Sequence, residues 1–156
     1  MWSTAVAATS PYSYPIDRTI SPTELGVSYD FQIRATNATG NGPWSDFASG
    51  TAADLPDAVL GTNIEVIGAN RSLVVTWTPA VNNGADIIDY SVRWAVNRTG
   101  NELWASKTVT ASALPTTVLS GLTNGEPYVI GITARNSVGS SGETQTTTNP
   151  SPAGAV

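Results

Sequence analysis

The chain has 156 residues, of which 12% are charged and 40% hydrophobic, and a net charge of −5. It contains no Cys and no His, which excludes a disulfide framework, thiolate chemistry and the commonest general base and metal ligand. Its seven basic residues are scattered and no apolar run reaches the ~18 residues of a membrane span, so neither a nucleic-acid partner nor membrane insertion is expected.

In chain order, helical periodicity is absent and strand periodicity recurs. The first clear pattern is Tyr29, Phe31, Ile33 and Ala35, each separated by one residue, between Gly26 and Asn37-Ala-Thr-Gly40. Ala53-Asp-Leu-Pro56-Asp-Ala58 is polar and Pro-bearing, the composition of a linker. Seven strands are predicted after it, at about 60–67, 71–78, 86–96, 103–110, 115–120, 127–136 and 143–149. Leu73, Val75 and Trp77 alternate inward, as do Ile88, Tyr90, Val92 and Trp94, and then Tyr128, Ile130, Ile132 and Ala134. Turn signals separate them: Gly68-Ala-Asn70, Asn82-Asn-Gly84, Thr99-Gly-Asn101, Thr123-Asn-Gly125 and Gly139-Ser-Ser-Gly142. Asn149 to Val156 is a tail resembling the linker.

Short alternating strands at this spacing predict an all-β sandwich. One segment also occurs twice. Gly26 to Gly40 aligns without a gap on Gly125 to Gly139, at an offset of 125 − 26 = 99 residues. That period is a domain, not a solenoid repeat. Only the second copy has enough chain ahead of it, within this sequence, to make a whole sandwich. The expected organisation is therefore a partial domain over 1–52, a linker over 53–58, a complete domain over 59–149 and a tail over 150–156.

The second unit resembles the fibronectin type III family. The resemblance rests on Leu73-Val-Val-Thr-Trp77-Thr-Pro79, on Ile88-Asp-Tyr90-Ser-Val92-Arg-Trp94, on Leu122 six residues before Tyr128, and on Ala134-Arg-Asn136-Ser-Val-Gly139. It implies an immunoglobulin-like sandwich of seven strands with Trp77 and Tyr90 at its centre. It also implies a Tyr128 hydroxyl that ties the crossover before its strand to backbone. Residues 2–52 are similar to the second half of the same family, with Trp2 matching Trp104. Thr23 stands where the Leu of the corner belongs, so that either Ile20 or Leu25 serves instead or the corner is weaker in this copy.

Candidate chemistry is sparse. Without His or Cys, an activated Ser or Thr would depend on Lys107, the only lysine, and no G-x-S-x-G elbow is present. Asp54 with Asp57 lies in the linker, and Asp86 with Asp89 points to opposite faces of a strand, so neither is an acid–base pair. No catalytic residue, cofactor or metal ligand is assigned, although Asn82, Asn83 and Asp86 carry oxygens of the kind calcium uses. Asn37, Asn70 and Asn97 head formal glycosylation sequons. Three interaction surfaces are expected. They are the open half-domain face of Tyr29, Phe31 and Ile33, the aromatic pair Trp94 and Trp104, and the loop of Asn136, Ser137 and Val138, which carries no Arg-Gly-Asp. The expected partners are proteins, either neighbouring domains of the same family or another subunit, with a glycan as a further one. The expected role is that of a non-catalytic module from a tandem array in an extracellular, cell-surface or virion protein. Two alternatives stand beside it: an accessory module of a secreted polysaccharide-degrading enzyme, and a self-assembling fibre or virion subunit in which another chain completes residues 1–52.

Overall fold

The computed structural model describes residues 24–98 and 103–154. Trp2, Ile20 and Thr23 lie outside them. The first unit contributes β1 (Ser28–Phe31), β2 (Thr36–Asn37), β3 (Gly40–Asn41) and β4 (Ala48–Thr51). β1 pairs antiparallel with β4, and β2 with β3. The second unit opens on a 3-10 turn, Gly61–Asn63, where the sequence pattern predicts strand. It continues with β5 (Ile64–Ala69), β6 (Ser72–Trp77), β7 (Asp89–Val96), β8 (Ala105–Thr110), β9 (Thr116–Ser120), β10 (Tyr128–Arg135) and β11 (Thr144–Gln145).

Two antiparallel sheets face each other, ordered β5-β6-β9 and β11-β10-β7-β8. Period-two alternation places Leu73, Val75 and Trp77 against Tyr90, Val92, Ile130 and Ile132, all buried between the sheets. Trp77 and Tyr90 meet edge to face at 5.2 Å between ring centroids, the arrangement their quadrupoles favour. Two tyrosine hydroxyls fasten loops to this core. Tyr90 Oη accepts from Ala80 N at 3.1 Å, and Tyr128 Oη from Thr123 N at 3.1 Å, which is the corner implied by the family resemblance.

Two boundaries differ from the sequence pattern. The inward alternation of β7 begins at Tyr90, while Ile88 is exposed and Ile87 packs against the core in its place. The chain has not entered the pleat before Asp89, so period two does not hold there. β11 is also shorter than 143–149. Pairing runs from Gly131 with Gln145 and Ile132 with Thr144, then shifts. Tyr128 N reaches Pro150 O instead, at 2.9 Å, which adds residues to the edge strand as a bulge does.

The repeat extends to individual hydrogen bonds. Asn136 Oδ1 accepts from Val138 N at 2.9 Å and Gly139 N at 3.1 Å. Asn37 Oδ1 accepts from Thr39 N at 2.9 Å and Gly40 N at 3.2 Å. Each Asn closes the turn after its strand with its own side chain. Likewise Ser141 N reaches Ala134 O at 2.9 Å, and Gly42 N reaches Ala35 O at 2.8 Å. The first unit is thus built as the second, without a matching core among the described residues. Ile33 and Phe47 are 77% and 70% exposed, where the residue matching Ile33 in the complete copy, Ile132, is fully buried.

Candidate functional site

Residues 53–58, expected from composition to be a linker, are held at both edges by two loops from later in the chain. The turn between β6 and β7 grips one side. Asn83 O accepts from Asp54 N at 2.9 Å, and Val81 O from Asp57 N at 3.0 Å. Asn83 Nδ2 donates to Leu55 O at 2.8 Å and to Asp57 Oδ1 at 2.9 Å. Asn83 adopts φ +50°, a left-handed conformation that Asn tolerates better than most residues. From the other side Asn136 Nδ2 donates to Asp54 O at 2.8 Å and to Asn82 O at 3.1 Å. One side chain therefore bridges the linker, the β6–β7 turn and its own loop after β10. Pro56 is buried, and the Leu55 side chain leans on Gly139.

The first unit seats directly on this turn. Gly26 N donates to Ala52 O at 2.8 Å, and Gly84 of the β6–β7 turn lies against both. A methyl group at Gly84 would collide with Ala52 O and would stand 2.5 Å from Gly26 N. Backbone meets backbone there, so only glycine fits. Val27, next to Gly26 in the chain, remains half-exposed beside the contact. The geometry defines a joint in which the linker is ordered by at least five hydrogen bonds, rather than a tether.

The residues expected as interaction surfaces are distributed differently. Asn136 is 2% exposed and committed to the joint, leaving Ser137 and Val138 as the exposed part of its loop. Trp94 and Trp104 do not form one platform. Trp94 packs inward against the core, while Trp104 lies on the outer face under the Arg93 guanidinium, 4.1 Å from the ring centroid. The parity of β7 separates them, because Arg93 and Trp94 point to opposite faces. Arg93 also pairs with Glu143, donating from Nη2 to Oε1 at 2.7 Å, across Gly131, whose missing side chain makes the room. Burial pushes the Glu143 carboxyl up, but hydrogen bonds from Arg93 and Gln145 outweigh it and hold the carboxyl below its usual range. The Arg135 hydrogen bonds similarly hold Asp89 low. Of the half-domain face, Tyr29 is half-buried, and Phe31 and Ile33 are exposed.

The polar residues near the turn are occupied structurally. Asn82 Oδ1 caps Gly84 N at 3.3 Å, and its amide reaches Asp86 Oδ1 at 3.4 Å. No group of three or more His, Cys, Asp or Glu side chains converges on a metal-sized site among the described residues. No helix among them is long and apolar enough to cross a membrane. Sequence patterning treats Asn83 and Gly84 as turn formers. Nothing in the sequence pattern marks their role in the joint, because the backbone they meet, at Gly26 and at residues 52–57, lies far from them along the chain.

A seven-stranded sandwich with a tyrosine corner and a loop-clamped linker defines a modular immunoglobulin-like domain joined to a neighbour. A sequence profile of the fibronectin type III domain matches residues 57–149, and the chain belongs to that family. It is 32% identical over 123 residues to a Kelch domain-containing protein of Sulfurisphaera tokodaii, covering 79% of this chain and 16% of that one. It is 30% identical over 128 residues to tyrosine-protein phosphatase Lar of Drosophila melanogaster, covering 81% and 6%. Among solved structures, the solution structure of a human FNIII domain matches with a TM-score of 0.52 and 24% identity, over 69% of this chain and 88% of that one. The chain spans no more than 16% of the length of the curated relatives it matches.

Proposed function

We propose that this chain is a non-catalytic spacer in a tandem array, whose task is to hold successive domains in a set orientation within a larger extracellular, cell-surface or virion protein. The carrying observation is the joint. Asn83 and Asn136 fix the linker, and Gly84 seats one unit on the next. Interfaces between domains of one chain are usually small and polar, so relative motion is the default unless specific contacts oppose it. Here the contacts are specific. Fibronectin type III domains are generally non-catalytic, and the similarity to Lar and to ephrin type-A receptor 6 supports a module within a multidomain protein.

Backbone nitrogen-15 relaxation tests this. Residues 24–52 and 59–149 should tumble with one correlation time, and the bond after Leu55 should resist dilute protease. Independent tumbling or rapid cleavage within 53–58 refutes the spacer reading. Antibody labelling of intact host cells or particles tests the location; staining only after permeabilisation overturns it.

A second reading, assembly through residues 1–52, is favoured by the exposure of Phe31, Ile33 and Phe47. A second copy or a strand set like 64–96 would cover them. Light scattering across concentration should then show association, and a strictly monomeric folded chain refutes this reading. A glycan role resting on Trp94 and Trp104 acting as one platform has no geometric support.

A further inference from the structure

The joint has two halves, and the complete domain carries both. At one pole its β6–β7 turn offers Gly84, which is already engaged by Gly26 and Ala52. At the opposite pole stands the counterpart of Gly26. Gly125 lies 125 − 26 = 99 residues later and has φ +80° against +82° at Gly26. Its N–H donates to Pro152 O at 3.0 Å, as Gly26 N donates to Ala52 O at 2.8 Å. The tail is pinned alongside: Pro152 is buried, and Ser151 O lies so close to Gly68 that a side chain there would meet it at 2.6 Å. The elements that receive Gly84 at the first pole are thus reproduced at the second. There, a methyl on Gly125 would find nothing within 4 Å, and Asn124 and Gly125 are exposed.

We infer that the Asn124–Gly125 turn, together with the Pro152 carbonyl, is a docking surface for the Asn-Gly β6–β7 turn of another domain built like residues 53–149, in the same head-to-tail contact. The occupant is specified by the existing joint: a tight turn with glycine at its tip, since a side chain there would strike the receiving carbonyl. The contact is heterologous, so each domain that docks leaves a free receiving pole for the next. The inference deepens the spacer reading and rests on it.

The experiment fuses residues 1–152 directly to a second copy of residues 53–154, because Pro152 corresponds to Ala52. The chain has no cysteine, so spin labels can be placed uniquely. Labels at Thr108→Cys in both complete copies report the new joint. Labels at Thr39→Cys and the first Thr108→Cys report the existing one. The expected result is a narrow distance distribution across each joint, no wider than across the existing joint in the unfused chain. Gly84→Val in the appended copy should about double the width at the new joint by freeing the linker. Gly125→Asn in the first complete copy, whose side chain reaches beyond Cβ from a left-handed backbone that Asn tolerates, should broaden it too, without changing the existing joint, which checks the result against misfolding of the turn variant. A narrow existing joint beside a broad new one overturns this inference and leaves the spacer reading standing. Breadth at both overturns the spacer reading itself. A new joint that stays narrow in both variants also overturns the inference, because the contact would not run through these glycines.

Discussion

Replacing Asn136 by Asp changes one atom group in a side chain that serves three segments. The variant keeps Oδ1, and with it the bonds from Val138 N and Gly139 N. It loses the two donations to Asp54 O and Asn82 O, worth about 1 kcal/mol each. It also sets a charged oxygen against those carbonyls and against Ala85 O, in a site only 2% exposed. That buried oxygen, left without a donor, costs about 1–3 kcal/mol more. The expected loss at pH 7 is therefore about 3–5 kcal/mol, a large share of the roughly 5–15 kcal/mol that holds a domain together. Burial and the facing carbonyls raise the folded-state pKa of the new carboxyl above its unfolded value, outweighing the opposite pull of the Val138 and Gly139 N–H groups that its Oδ1 keeps. Below the unfolded value it is protonated in both states and the charge penalty is absent. The penalty grows as pH rises towards the folded value. Denaturant melts of variant and wild type, subtracted at each pH from 4 to 8, give this curve. Asn37→Asp is the internal control: Asn37 closes an equivalent turn but is exposed, so its change should stay within about 0.5 kcal/mol. A difference for Asn136→Asp below about 1 kcal/mol at pH 7, or one that is flat with pH, refutes the burial and bonding assigned to this residue.

Other expectations are simpler. Tyr128→Phe leaves Thr123 N without its acceptor and should cost about 1–3 kcal/mol in a denaturant melt. Trp77→Ala should cost about 3–5 kcal/mol, whereas Trp104→Ala, which loses an outer-face stack on Arg93, should cost at most about 1 kcal/mol; equal losses would refute the assignment of faces. Asp89 and Glu143 are held below their usual values of 3.8 and 4.5. Their contribution is fully present above those values and is lost as pH falls through the lower folded-state ones. Stability should therefore drop below about pH 4, and Asp89→Asn should make the drop shallower.

The sandwich was legible because its signal is local. Trp77, Tyr90 and Ile130 announce their face through alternation alone, and Leu122 with Tyr128 announces the corner. Ile88 misled the same logic, since periodicity holds only once a strand is paired, and pairing begins at Asp89. The Trp94 and Trp104 platform failed for a related reason: two tryptophans on neighbouring strands share a face only if their register puts them in phase. The joint was least legible. Asn136 looks like a loop residue because its partners, Asp54 and Asn82, are 82 and 54 residues away. Composition suggested a linker and said nothing of its ordering, because the groups that hold 53–58 come from side chains elsewhere in the chain.

The clamped linker has a mechanical consequence. Tension applied through residues on either side of it loads the hydrogen bonds of Asn83 and Asn136 one after another, before the paired strands of the sandwich bear force together. Once they part, six residues straighten, and each extended residue spans at most about 3.3–3.6 Å, so each joint can yield at most about 20 Å of length. The joint is therefore expected to yield while the sandwich core stays folded, and to reseat when the pull is released.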